Sequence, residues 1–171
     1  MVAGHVLDKM NEDQLAMFRR DNIGIILQAF HLIPTMTALE NVAVPLELAG
    51  IQDAESIAHK MLVKVGLDHR MDHYPTQLSG GEQQRVAIAR AMAPEPKILF
   101  ADEPTGNLDA KTGHNIIELI FSLKEQNDAT LILITHDQEL AQKCDEIIHI
   151  EDGLITDNDD AHSNESKKVA E

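Results

Sequence analysis

The sequence is poor in positive charge: 14 Lys plus Arg stand against 29 Asp plus Glu in 171 residues, a net charge of -15. With no excess positive field to attract phosphate backbones, a general affinity for nucleic acid is excluded. A single cysteine, Cys144, rules out an internal disulfide framework. No apolar run approaches the roughly 20 residues needed to span a bilayer. The opening residues, MVAGHVLDKMNEDQ, lack the basic-then-apolar order of a signal peptide. There is no internal repeat. These absences predict a cytoplasmic protein, and 43% hydrophobic with 25% charged content suits one soluble domain with a real core.

What is present alternates between two periods. NIGIIL (22–27), KILFAD (97–102), TLILIT (130–135) and EIIHI (146–150) are short, mostly branched apolar runs, as expected of strands buried on both faces of a parallel sheet. Asp53 is placed to cap a helix whose Ile57, Met61, Leu62 and Val65 recur at helical spacing until Gly66 stops it. Asp109 is placed to cap another, with Ile116, Leu119, Ile120 and Leu123 as its buried stripe. Some seventy residues separate the first two strands, which predicts a helical insertion over about 35–93. Residues 157–171, DNDDAHSNESKKVAE, have almost no apolar content and are expected to be a disordered tail.

Two stretches carry chemistry. In LSGGEQQRVAIARAM (78–92), Ser79, Gly80 and Gly81 stand directly before a helix. Such an entrance offers unpaired N–H groups, a positive dipole end and a close backbone approach, which together describe an anion site; a plain helix cap is the blander account. The run KILFAD ends in Asp102 and Glu103, two carboxylates at the C-terminal edge of a strand, where open α/β sheets bind ligands. The first acid suits Mg²⁺ held through water, and the second suits orienting or deprotonating an attacking water. TLILIT delivers His136 to the same expected edge. His69 and His73 are spaced four apart, but no third ligand follows them, so a metal site is not expected there.

Taken together, LSGGEQ (78–83), ILFADE (98–103), GNLD (106–109), ITHD around His136 and NIGIILQAF around Gln28 resemble the nucleotide-binding domain of ABC transporters over about residues 1–156. LIPTMTALENV and ADEPTGNLD are most similar to the branch of lipoprotein-releasing, macrolide-export and cell-division ATPases. The resemblance implies a P-loop NTPase-like α/β fold with a mostly parallel sheet and a helical subdomain, working with ATP and Mg²⁺. It assigns Glu103, His136 and Gln28 to catalysis and Asp102 with Gln28 to the metal. Ser79, Gly80, Gly81, Glu82 and Gln83 form the signature that meets nucleotide held by a second subunit, and Asp109 belongs to the D-loop. The implied partners are ATP, a second ATPase subunit and a transmembrane permease, which would hold the chain on the cytoplasmic face of the membrane. Nucleic acid is not among them.

One departure stands out. The family's GxxGxGK[ST] loop cradles the β- and γ-phosphates, yet no Gly-Lys pair occurs in this sequence. The resemblance therefore implies that the first strand, phosphate loop and first helix are missing, and that the chain alone does not hydrolyse ATP. The alternative is a non-hydrolytic accessory subunit that donates its signature in trans. A DNA-repair or chromosome ATPase is disfavoured, because the insertion is too short for that family's coiled coils and the charge is acidic. Leu32, Ile33, Met36, Leu39, Val42, Val44, Leu46 and Leu48 are expected either as subdomain core or as part of a groove for the permease.

Overall fold

The computed structural model describes residues 1–156, and the expected tail at 157–171 lies outside them. The chain divides into two compact units, Met1–Ile134 and Thr135–Glu171. In the first unit, Asn11 and Gln14 form a reciprocal capping box that starts helix α1, Glu12–Asn22. The branched run that follows becomes strand β1, Ile23–Leu27.

Helices α2 (Ala38–Leu48) and α3 (Ala54–Lys64) come next, and then α4 (Gly80–Met92). Thr37 and Glu40 box the start of α2, while buried Asn41 ties down the preceding loop. Its Oδ1 accepts from the Ile33 N–H, and its Nδ2 donates to the carbonyls of Ile33, Met36 and Thr37. The end of α3 at Lys64 is followed by Gly66 at φ +75°, the left-handed position that glycine takes most easily. Asp53 differs from expectation. Its backbone is itself left-handed, at φ 58°, rather than extended as in a capping residue, and its side chain makes no cap bond.

Strand β2 (Ile98–Asp102), helix α5 (Ala110–Gln126) and strand β3 (Thr130–Ile134) complete the unit. The three strands form a parallel sheet in the order β1-β2-β3, with Leu27, Asp102 and Ile134 aligned at one edge. This is an α/β fold. Ile26, Leu99 and Ala101 are fully buried in one continuous core with Val86 and Ile88 of α4 and Ile116 and Ile120 of α5. Val42 and Leu46 of α2 and Leu62 of α3 join the same core, whereas Leu48 is 72% exposed, so the apolar stretch beside β1 divides between core and surface.

The strands are not buried on both faces. Ile25, Ile132 and Ile134 point to the opposite side of the sheet and are 51%, 40% and 50% exposed. The parallel run is apolar enough for two covered faces, but the helices of this unit cover one.

The second unit holds helix α6 (Gln138–Ala141), started by Asp137 accepting from the Glu139 and Leu140 N–H groups. It also corrects the reading of EIIHI. That run shortens to β4, His149–Glu151, and pairs antiparallel with β5, Leu154–Thr156, in a sheet of its own. The cause lies in Asp152 and Gly153, both at positive φ (50° and 78°), the conformation of a type I′ hairpin turn.

Candidate functional site

The entrance to α4 is built by reciprocal bonds. The Ser79 hydroxyl donates to Glu82 Oε2 at 2.7 Å and accepts the Glu82 N–H at 3.3 Å, and the Ser79 N–H donates to the same carboxylate at 2.8 Å. Arg70 Nε donates to the other Glu82 oxygen at 2.9 Å. Gln83 Nε2 reaches back to the Leu78 carbonyl at 3.0 Å. Gly80 and Gly81 occupy the first two helical positions, whose N–H groups have no intrahelical partner. The Ser79 hydroxyl is thus already engaged within the cap, and a ligand at the mouth meets the glycine amides first.

Hydrogen bonds from the Ser79 hydroxyl and N–H, helped by Arg70, hold the Glu82 carboxyl below its ordinary pKa. A carboxylate with a depressed folded pKa stabilises the fold above its unfolded pKa, and loses that contribution as pH falls through the folded value. The advantage of the native chain over E82Q, measured as a urea midpoint by circular dichroism, is therefore expected to be full at pH 7 and to shrink below about pH 4.3. An advantage that stays constant down to pH 3 would show that the charge on Glu82 contributes nothing to the cap.

Glycine lets the signature approach its neighbours. A Cβ on Gly81 would stand 2.7 Å from Thr112 Cγ2 at the start of α5. One on Gly80 would lie 3.4 Å from Leu108 Cδ2 and 3.9 Å from Phe30 Cζ. The signature therefore packs directly on the GNLD loop. Asp109, at the end of that loop, caps α5 by accepting the Thr112 N–H at 3.0 Å. Bonds from the Thr112 side chain and backbone hold its pKa below the ordinary value.

The sheet edge supplies the rest. Gln28 follows β1 directly, and its side chain lies against Gly106, where a Cβ would come within 2.5 Å of Gln28 Nε2. Asn107 Nδ2 donates to the Gln28 carbonyl at 2.9 Å. Asp102 ends β2, and Glu103 turns the chain out of the sheet at φ 43°, a backbone region sparsely used by residues with a side chain. The Glu103 N–H donates to the Ile134 carbonyl at 3.0 Å, which prolongs the β2–β3 ladder by one bond. The first unit thus brings together Gln28, Asp102, Glu103, Ser79 to Gln83 and Asp109 through one chain of contacts. His136 belongs to the second unit, at the bend between β3 and α6.

Three polar residues matter more here than their positions in the sequence suggested. Gln84 is fully buried, and its Nε2 donates to the Pro104 carbonyl at 2.8 Å, joining α4 to the loop after Glu103. The signal was a polar residue aligned with Ala87, Ile88 and Ala91 on the apolar face of α4. Arg85 Nη1 donates to the Val65 carbonyl at 2.9 Å and finishes α3. Arg90 Nη1 and Nη2 donate to the His31 and Phe30 carbonyls at 2.6 and 2.9 Å. No local pattern announces the last two bonds. The histidine pair is absorbed elsewhere: His69 meets Asp68 and His73 meets Arg70.

A family model described as ABC transporter matches residues 2–106. The chain belongs to the ABC transporter family. An uncharacterised ABC transporter ATP-binding protein of Escherichia coli K12, YbbA, is 49% identical over 156 residues, covering 90% of this chain and 68% of the relative. The lipoprotein-releasing system ATP-binding protein LolD of Acinetobacter baylyi is 44% identical over 154 residues, covering 88% and 68%. Among solved structures, a dimeric post-hydrolysis state of the ATP-binding cassette MJ0796 bound to ADP and Pi is similar with a TM-score of 0.78. It is 40% identical over 90% of this chain and 69% of that one. As an ATP-binding chain of the ABC family, this protein shares the α/β fold and parallel sheet of those cassettes. No helix among its described residues is long and apolar enough to cross a membrane.

Proposed function

We propose that this chain works as an ATPase subunit of an ABC transporter by presenting its signature to ATP held on a second cassette. The observation that carries this reading is the entrance of α4, where two glycine amides at a helix N-terminus are packed against the D-loop. Ser79, Gly80, Gly81, Glu82 and Gln83 close on the γ-phosphate, and Asp109 completes the contact between the subunits. The charge favoured by a helix N-terminus matches the triphosphate.

At the strand ends of the first unit, Glu103 is the group suited to orienting an attacking water, with Gln28 as a second catalytic group, while His136 of the second unit takes its catalytic assignment from its sequence motif alone. Magnesium suits the hard oxygen donors of Asp102 and Gln28, and it takes one or two protein groups together with substrate phosphates. When bound, it neutralises the charge of the transferring phosphoryl group. The chain does not turn over ATP by itself, because no Lys-bearing phosphate cradle is present in the sequence. Its membrane partner is a permease subunit, which keeps the assembly on the cytoplasmic face. A docking surface on the helical insertion, where Leu48 at the end of α2 is exposed, accounts for that attachment.

Size-exclusion chromatography with an intact, hydrolysis-deficient ABC ATPase of the lipoprotein-releasing type tests the central point. A heterodimer is expected only with Mg-ATP, and S79R is expected to weaken it at least about tenfold by filling the helix entrance. No complex, or one indifferent to S79R, would refute donation in trans.

A further inference from the structure

Phe30 and His31, two and three residues after Gln28, both have left-handed backbones, at φ 58° and 47°. Neither is glycine, and consecutive left-handed residues with side chains persist only where their surroundings impose them. The imposing group is Arg90. One nitrogen of its planar fork donates to the His31 carbonyl at 2.6 Å and the other to the Phe30 carbonyl at 2.9 Å. Arg90 has no carboxylate partner among the described residues, and burial pushes its pKa down. A half-buried cation satisfied by two adjacent carbonyls through a planar fork is costly to displace, so it fixes the turn that presents those carbonyls.

The same turn touches the candidate site at two further points. The Phe30 ring lies over Gly80 at the opening of the signature, with Cζ 3.9 Å from where a Cβ would stand. Gln28, two residues before Phe30, rests its side chain on Gly106, and its carbonyl accepts from Asn107. We propose that Arg90 is a positioning residue: by gripping the left-handed Phe30–His31 turn it holds Gln28 against the GNLD loop and ties that glutamine to the signature helix. The assignment rests on the role of Gln28 proposed above, while its structural part stands on the contacts just described. Lysine cannot replace the arginine, because a single ammonium lacks the fork that serves two adjacent carbonyls.

Amide hydrogen exchange on the full chain, read by NMR, tests this. The Phe30, His31 and Ile33 amides donate to Leu27, Ala29 and Asn41 and report on the turn. In R90M they are expected to exchange at least about tenfold faster, while amides of α5 keep their rates. The double variant R90M/H31G is expected to recover most of that protection, since glycine adopts the left-handed backbone without a clamp. A merely structural Arg90 would not respond to H31G. If R90M fails to fold, R90K serves in its place, with a smaller loss in the same three amides and the same rescue. Unchanged rates at these amides, an equal loss throughout α5, or no rescue by H31G would each overturn the assignment. Mixing native chain with the intact ATPase and Mg-ATP separates the two claims: if no complex forms, donation in trans fails, while the exchange result still decides the role of Arg90.

Discussion

Purified chain supplied with Mg-ATP is expected to release phosphate at least about a hundredfold more slowly than an intact ABC ATPase. Loss of a single preorganised donor to developing charge costs about 10²–10³ in rate, and here both the lysine and the loop amides of a phosphate cradle are absent from the sequence. Asp102, Glu103 and Gln28 stand at the strand ends, yet carboxylates and an amide add no positive charge to hold three phosphates. The deficit is one of catalysis as well as of ground-state grip, so raising ATP concentration improves occupancy but does not recover the rate. A phosphate-release assay on native chain and E103Q decides the point. Turnover well above buffer that disappears in E103Q would show that the sheet edge works without a cradle.

Gly24→Val is expected to be the most damaging single change to the fold. A Cβ at position 24 would stand 2.6 Å from the Ala91 backbone oxygen, 3.0 Å from Pro96 Cγ and 3.1 Å from Leu99 Cδ1. Helix α4 crosses β1 at backbone contact, and a carbonyl cannot swing aside as a flexible side chain does. Relief requires lifting α4 from the sheet, which opens the core around Ile26, Ile88 and Leu99. Overpacking of this kind costs about 1–3 kcal/mol and sometimes more, against a typical stability of about 5–15 kcal/mol. The margin is narrowed by the open sheet face at Ile25, Ile132 and Ile134, whose burial adds little. A urea titration followed by circular dichroism is expected to show a large drop in midpoint for G24V and a smaller one for G24A. A midpoint unchanged in both would mean that α4 is loosely seated. Because α4 carries the signature at its other end, the same substitution is expected to weaken assembly with a partner.

Local chemistry was enough for much of this protein. The first three strands fall within one residue of the runs 22–27, 97–102 and 130–135, because branched apolar stretches between turns have few alternatives. Asp109 caps α5 and Ser79 opens α4, since caps are decided within four residues. The spacing of LSGGEQ, ADE and GNLD identified the family without a structure.

Tertiary structure decided what each group meets. An apolar strand reads the same whether one face or two are covered, so the exposure of Ile25 and Ile134 depended on which helices reach the sheet. Asp53 has the right residue type for a cap, but its backbone is left-handed rather than extended and its side chain makes no cap bond. EIIHI lost its place beside the parallel strands to the Asp152–Gly153 turn, whose dipeptide was legible and carried more weight than the apolar run. Arg90 shows the limit most clearly: its partner Phe30 is sixty positions away, and periodicity cannot say which of many distant carbonyls a half-buried guanidinium will find. Caps and strands follow from bonds between near neighbours in sequence, whereas the link between the signature helix and Gln28 exists only once the core has brought α4 against β1.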